Sequence, residues 1–292
     1  MLGALGTDDR RSKMSRMMNE VNTDDLRVCL VQMSSSPDFE ENLAHAKSII
    51  EQASQNRDEL IIFPECALLW AKTDITHQNA KTREQWTDLL SPLSKTYKIA
   101  IVWGGLAERQ ENKVFNSSFI FDADGHLLDV YRKTHLFQIF TPGKKAIDET
   151  ETYEHGDTGP CVVKINDWSI GISICYDLRF PEFLRNYAGC DLMINSAAFT
   201  KATGKAHWEV LMRARAVENQ SYVIGSAQCG RNELSGISAY GHSIVIDPWG
   251  EVLGDLGESI ASQSFVLNKQ IIQQTRETVP ALYTSFPHLR DQ

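Results

Sequence analysis

The sequence lacks several features that would assign it to a class at once. Its six cysteines, Cys29, Cys66, Cys161, Cys175, Cys190 and Cys229, are dispersed and form no C-x-x-C pair. That removes the spacing which zinc sites and redox motifs require. The eight histidines show no H-x-x-x-H spacing, so no metal is expected. No apolar run approaches the ~18–20 residues of a membrane-spanning helix, and a soluble protein without a membrane partner is expected. Basic residues are in deficit: 29 Lys and Arg against 38 Asp and Glu give a formal net charge of -9. A nucleic-acid binder carries a basic face instead. There is no internal repeat, low-complexity block or Pro/Gly/Ser linker.

What is present is an ordinary globular composition, 42% hydrophobic and 23% charged over 292 residues, long enough to bury a large core. Residues 1–25 are polar, mixed in charge and without a hydrophobic period, so a disordered N-terminal extension is expected there. Arg10, Arg11, Lys13 and Arg16 hint at a mitochondrial transit peptide. Asp8, Asp9, Glu20, Asp24 and Asp25 argue against one, and Met14, Met17 and Met18 leave a later start open. Dispersed cysteines in so long a chain read as reduced thiols, and a cytoplasmic location is expected. The rest, 26–292, reads as one domain with a C-terminal tail from about 270.

Strands and helices alternate along that domain. A strand at Arg27–Met33 precedes a helix capped by Asp38, with Glu41 as a capping box and Leu43, Ala46, Ile49, Ile50 and Ala53 as its apolar stripe. Leu60–Phe63 is a short apolar strand of the kind buried on both faces. A helix over Arg83–Thr96 leads to a strand at Ile99–Trp103 that ends in Gly104-Gly105. Strands at Asn116–Asp122 and His126–Arg132 join around Asp124-Gly125, a hairpin signal. Thr141–Pro160 reads as a long loop. Trp168–Cys175 is a strand, Pro181 opens a helix to Ala188, and Leu192–Asn195 is a strand. A helix at Lys205–Gln220, with Val210, Leu211, Ala214 and Val217 as its apolar stripe, precedes a strand at Tyr222–Ala227. A hairpin of Tyr240–Asp247 and Glu251–Gly254 and a last strand at Ser264–Leu267 complete an α/β chain of helices layered over sheets.

Three chemically active residues stand at the ends of β-branched or apolar runs: Glu65 in Ile-Ile-Phe-Pro-Glu, Lys133 in Tyr-Arg-Lys-Thr-His, and Cys175 in Gly-Ile-Ser-Ile-Cys-Tyr-Asp. A thiol, a carboxylate and an ammonium are the minimum kit for covalent hydrolysis of a carbon–nitrogen bond. An unaided thiol is only a few per cent ionised at neutral pH, so it needs a base. Glu65 is the candidate, since its apolar strand would desolvate the carboxylate and strengthen it as a base. Lys133 would supply positive charge to an oxyanion, and the Tyr176 N–H a donor. Taken singly, each has a commoner structural reading: an inert buried thiol, a surface turn, a solvated lysine. The remaining five cysteines take that reading.

The motifs decide between these readings. Phe63-Pro64-Glu65, Tyr131-Arg132-Lys133-Thr134-His135-Leu136-Phe137 and Cys175-Tyr176-Asp177-Leu178-Arg179-Phe180-Pro181-Glu182, in that order, resemble the base, lysine and nucleophile segments of the nitrilase superfamily of carbon–nitrogen hydrolases. The resemblance covers roughly residues 26–270. It implies a four-layer α-β-β-α sandwich that pairs into a homodimer or larger homo-oligomer, a Glu-Lys-Cys triad and no cofactor. It also implies a second glutamate after the lysine, placed at Glu149, with Glu151 and Glu154 close by. Gln138 stands where the family more often has Asp after His-Leu-Phe, which leaves the shape of that loop open.

Ala206-His207-Trp208-Glu209-Val210-Leu211, Arg213-Ala214-Arg215-Ala216, Ala227-Gln228-Cys229-Gly230-Arg231 and Tyr240-Gly241-His242-Ser243 resemble the branch holding deaminated-glutathione amidase and ω-amidase. The last two segments are more similar to the former. The implied substrate is a small carboxylate-bearing molecule whose terminal carboxamide is cut to acid and ammonia. The alternatives are an ω-amidase acting on α-ketoglutaramate or succinamate, or a hydrolase of N-carbamoyl compounds or nitriles. Arg179 is expected either to bind a substrate carboxylate, as related carbamoylases use the matching arginine, or to brace the turn through Asp177 or Glu182. His135 divides evenly between the same two roles. His207 and Trp208 read mainly as packing, and Asn195 to Phe199, including Ala198, as a wall of the pocket.

Overall fold

Alternating side chains along the strands divide between two cores, and this division builds the layers. In a computed structural model of the protein, residues 24–140 and 147–282 are described. The strands of the first half are β1 (Leu26–Gln32), β2 (Leu60–Ile62), β3 (Ala100–Gln110), β4 (Lys113–Phe121) and β5 (Leu127–Arg132). A small pair follows, β6 (Gln138–Ile139) and β7 (Ile147–Asp148). The second half holds β8 (Cys161–Ile165), β9 (Trp168–Ile174), β10 (Leu192–Ala197), β11 (Tyr222–Ala227), β12 (Ile244–Ile246), β13 (Val252–Asp255) and β14 (Ala261–Leu267). Helices are α1 (Phe39–Gln55), α2 (Thr73–Asn79), α3 (Arg83–Tyr97), α4 (Pro181–Leu184), α5 (Lys201–Asn219) and α6 (Lys269–Thr278).

Two six-stranded sheets form, in the orders β14-β1-β2-β3-β4-β5 and β13-β12-β11-β10-β9-β8. β1, β2 and β3 run parallel, as do β9, β10 and β11, while the flanking strands are antiparallel. Val28, Leu30, Leu60, Ile62, Ala100 and Val102 share a core with the second sheet. Their neighbours Cys29, Val31, Ile61, Phe63, Ile101 and Trp103 pack instead with Leu43, Ile50, Trp86 and Leu90 of α1 and α3. Helix α5 covers the far face of the second sheet through Trp208 and Met212. The result is a four-layer α-β-β-α sandwich, as the resemblance to the nitrilase superfamily implies.

At one end the sheets approach closely and are pinned by hydroxyls. Ser196 Oγ donates to Phe63 O at 2.9 Å, and Ser226 Oγ donates to Val31 O at 2.6 Å and to Ile62 O at 3.1 Å. A Cβ on Gly104 would collide with the Ser196 side chain, so this approach requires glycine. The Phe63 and Trp103 rings stack at 4.4 Å behind it.

Several boundaries differ from expectation. β3 does not stop at Gly104-Gly105: the register shifts between Trp103 and Leu106, Gly105 takes φ +63°, and the strand resumes to Gln110. The glycines mark a bulge rather than an end. Asp38 does cap α1, accepting from Glu41 N at 3.1 Å, but Asp38 N donates to Ser36 Oγ, and Glu41 turns to Ser36 as well. Helix α4 is a single turn, continued by a 3-10 turn at Arg185–Tyr187. The tail expected from about 270 is instead α6, anchored by buried Ile272 and Thr275. On α5 the expected apolar stripe faces the core only at Leu211, which packs there half-buried: Val210, Ala214 and Val217 are exposed, while Gly204, Trp208, Met212, Arg215, Ala216 and Asn219 are buried. Among the described residues no helix is long and apolar enough to cross a membrane. Most of the N-terminal extension lies outside the described residues, and so does Thr141–Ala146 of the long loop.

Candidate active site

The carboxyl ends of the parallel strands and the end of β5 meet where the sheets are pinned. Glu65 follows β2, Lys133 follows β5, Cys175 follows β9 and Ala198 follows β10. This is where open α/β sheets commonly place their ligands.

The three motif residues converge. Lys133 Nζ donates to Glu65 Oε1 at 2.8 Å and to Glu149 at 2.7 Å (Oε2) and 3.0 Å (Oε1). The Lys133 side chain is 0% exposed and that of Glu65 3%. Burial alone would lower Lys133, but Glu149 and Glu65 outweigh it and hold its pKa well above the ordinary lysine value. Glu149 is pushed up by burial and by the negative Glu65, against the pull of Lys133. Phe137 fixes both the side chain and the backbone of Glu149: Phe137 N donates to Glu149 Oε2 at 2.7 Å, and Glu149 N donates to Phe137 O at 2.9 Å. Of the three glutamates in this segment, Glu149 is the one bonded to Lys133.

Cys175 begins a 3-10 turn, Cys175–Arg179, with φ +47°, a left-handed conformation that costs a non-glycine residue energy and sets its side chain off the strand. Burial, chiefly, and then Glu65 push the Cys175 thiol well above its ordinary value; Lys133 and the Ala198 N–H pull it back. The turn is latched from below by Asp177, which is 0% exposed. Asp177 Oδ2 accepts from Ile174 N at 3.0 Å and from the Tyr131 hydroxyl at 2.7 Å. Its Oδ1 accepts from His135 N at 3.0 Å and lies 2.8 Å from His135 Nδ1. The lysine and nucleophile motifs are therefore tied through one carboxylate.

The other expected site residues divide. His135 stacks on Phe180 at 3.6 Å as well as bonding to Asp177, so it braces the turn. Arg179 pairs with neither Asp177 nor Glu182: its Nη1 lies 3.1 Å from His207 Nδ1, and its guanidinium sits over the Tyr176 and Phe199 rings at 5.7 and 5.2 Å. Asp177 is already filled by four donors. Phe199 is buried against Trp208 at 4.9 Å, and Trp208 Nε1 donates to His242 O, which makes Trp208 a packing residue. Tyr176 sits edge-on to Phe137 and Phe180. Ala198 contributes its backbone: the N–H donates to Glu65 Oε2 at 2.9 Å. Gln138 Nε2 donates to Asp148 at 3.0 and 3.1 Å, closing β6 on β7 just before Glu149, a donor role that Asp could not fill.

Two contributors were not foreseen. Asn116 Nδ2 donates to Glu65 Oε1 at 2.9 Å. Gln228 Nε2 donates to Glu65 O at 2.9 Å and to Ser35 Oγ at 2.8 Å, and so holds the loop that carries Glu65. A signal existed for the first, since Asn116-Ser117-Ser118 places three polar residues inside an otherwise apolar strand. A surface cavity of about 620 Å³ lies elsewhere, lined by Arg57, Asp58, Lys98 and Lys164 among others. Among the described residues no cluster of His, Cys, Asp and Glu is arranged to hold a metal.

A family profile described as Carbon-nitrogen hydrolase matches residues 27–276. The chain is 37% identical over 257 residues to Omega-amidase NIT2-A of Xenopus laevis, covering 87% of this chain and 92% of the relative. Its structure is similar to that of Saccharomyces cerevisiae Nit3, described as a member of branch 10 of the nitrilase superfamily, with a TM-score of 0.80, 34% identity, and 91% and 98% of the two chains covered. It is also similar to a variant amidase from Nesterenkonia sp. AN1 carrying acrylamide at its active-site cysteine, with a TM-score of 0.72, 25% identity, and 87% and 98% covered.

Proposed function

We propose, from the premise that the chain belongs to the carbon–nitrogen hydrolase family and is an amidase of the nitrilase superfamily, that it cuts the terminal carboxamide of a small carboxylate-bearing substrate through a thioester on Cys175. The observation that carries this is the buried ammonium of Lys133, bonded to two carboxylates in the cluster whose charges act on the Cys175 thiol. Glu65 takes the thiol proton, and the sulfur attacks the carboxamide carbon. The carbonyl electrons move to oxygen, where the Lys133 ammonium and the Tyr176 N–H stabilise them. As the oxyanion collapses, Glu65 returns the proton to the leaving nitrogen and ammonia departs. Water then gives a proton to Glu65 and attacks the thioester, which frees the acid and restores the thiol. Glu149 holds Lys133 and helps orient the reactants. Arg179, raised over two aromatic rings, supplies a planar donor pair for the substrate carboxylate.

The names of the relatives favour an ω-amidase, acting on α-ketoglutaramate or succinamate. The segments Gln228-Cys229-Gly230-Arg231 and Tyr240-Gly241-His242-Ser243 favour deaminated glutathione as a second reading. A substrate panel separates them. Ammonia is measured for α-ketoglutaramate, succinamate, an N-carbamoyl compound and a nitrile, and the freed dipeptide amine for deaminated glutathione. Carbon dioxide released together with ammonia would identify a carbamoylase. The expected result is hydrolysis of a carboxylate-bearing amide, abolished in Cys175→Ala, with the wild-type mass raised by the acyl group when substrate is mixed in excess. Full activity in Cys175→Ala would overturn the mechanism.

A further inference from the structure

We infer that Asn116 is a positioning residue for the general base: together with Lys133 it occupies one oxygen of Glu65, so that the other oxygen receives the thiol proton. This rests on the reading of Glu65 as base and Cys175 as nucleophile given above.

The two carboxylate oxygens of Glu65 are not equivalent. Oε1 accepts two donors, Lys133 Nζ at 2.8 Å and Asn116 Nδ2 at 2.9 Å. Oε2 accepts one, the Ala198 N–H at 2.9 Å. An oxygen with two donors already aimed at it has little lone-pair density left for a proton; the less occupied one takes it. The thiol proton therefore passes to Oε2 and is later returned from Oε2 to the leaving nitrogen, while Lys133 remains an ammonium throughout.

Asn116 is built for this at a cost. It is 1% exposed, and its Oδ1 is buried with no hydrogen-bond partner among the described residues. An orphaned buried acceptor destabilises the fold. Turning the amide over would place Oδ1 against a carboxylate oxygen, so the charge of Glu65 fixes its orientation. The main chain of Asn116 serves the lysine as well, its O accepting from Lys133 N at 2.8 Å. One residue of β4 thus sets the side chain of the base and the backbone of the cation. Gly105 backs both: a Cβ there would lie 2.6 Å from Glu65 Cγ and 3.0 Å from Asn116 Oδ1. The bulge in β3 is the space in which this pair sits.

The test compares Asn116→Leu and Asn116→Asp with wild type in two assays from about pH 6 to 9: hydrolysis of the best amide of the panel, and alkylation of Cys175 by iodoacetamide followed by intact mass. Leucine fills the space without a donor, and both rates should fall roughly 10- to 100-fold. Aspartate shares a proton with Glu65 at low pH and so regains an O–H donor. Its activity relative to wild type should decline as pH rises, with the basic limb displaced downward by about one unit. A residue that only filled space would give no such pH-dependent recovery. Should the leucine variant not fold, the aspartate profile decides alone. A leucine variant within about twofold of wild type in both assays, or an aspartate-to-wild-type ratio flat across pH, would overturn the inference. If wild type cuts no amide of the panel, the substrate reading fails, and the alkylation arm still decides the role of Asn116.

Discussion

At the residue scale the site is governed by Lys133. Two carboxylates face it inside protein, and without the ammonium they would repel one another across a poorly screened gap. Its charge is also the influence that most opposes burial and Glu65 in setting the Cys175 thiol. Lys133→Met should lower kcat/KM by about 10²–10³, the loss typical when an oxyanion donor is removed. Iodoacetamide should also alkylate Cys175 more slowly, because less thiolate forms. Lys133→Arg should not rescue it, since the fully buried Nζ meets three oxygens at 2.7–3.0 Å and leaves no room for a planar fork. Steady-state kinetics beside a timed mass measurement checks both, and an alkylation rate unchanged in Lys133→Met would sink the argument. Glu65, Lys133 and Cys175 were legible because each combines a reactive group with a distinctive local motif. Asn116 and Gln228 were not, because an amide announces no chemistry until its partner in another strand is known. The backbone N–H of Ala198 leaves no trace in a side-chain alphabet at all.

At the element scale, buried polar bonds hold the strands of the first sheet in position beneath the site. Glu108 of β3 accepts from Arg132 Nε at 2.8 Å and Nη2 at 2.9 Å, from Ser117 Oγ at 2.8 Å and from Arg83 of α3 at 3.2 Å. Burial pushes Glu108 up, but Arg132 and Ser117 outweigh it, so its pKa lies below the ordinary 4.5. A group depressed in the fold adds stability that is full above that ordinary value and is lost as pH falls through the folded one. Glu108→Gln should therefore destabilise by about 3–5 kcal/mol near neutral pH, by stranding the buried Arg132. The gap in melting temperature from wild type should narrow only below about pH 4.5. A gap that is constant down to about pH 3 would contradict this. The same scale shows where reading by pattern failed. Gly104-Gly105 looks like a strand end because glycine weakens strands, yet here it serves a bulge and a close sheet approach. Helix α2 went unseen because its seven residues carry one buried side chain, Thr76, and no apolar period. Helix α5 was assigned the wrong face, Leu211 apart, because two of its buried positions are glycine and arginine, whereas two of its exposed ones are valine.

At the scale of the whole molecule, that misassigned stripe has a consequence. Helices layered over sheets were legible in the alternation of strands and helices, whereas the four-layer sandwich followed from the family resemblance. An outer helix should turn only polar residues to water, yet α5 exposes valines beside Lys205, Glu209 and Arg213. Val210 and Val217 are 62% and 53% exposed, and with Ala214 they fall at i, i+4 and i+7, one stripe of the helix. The turn Trp249-Gly250 extends the patch: Arg213 Nε donates to Gly250 O at 2.8 Å, and a Cβ on Gly250 would lie 2.7 Å from Val217 Cγ2. Trp249 is itself 42% exposed. We propose that the homodimer implied by the family resemblance extends the layers here and covers this stripe with about 800 Å² per partner. The double variant Val210→Asp/Val217→Asp places two like charges in that contact, where desolvation opposes pairing. Light scattering on a sizing column should give a mass near 66 kDa for wild type, about twice the 32.9 kDa of one chain, and half of it for the variant. The melting temperature of the variant should then become independent of protein concentration, since no assembly remains to be shifted by mass action. A wild-type protein that elutes as a monomer, or a variant that keeps the wild-type mass, would show that the stripe is not where copies of this chain meet.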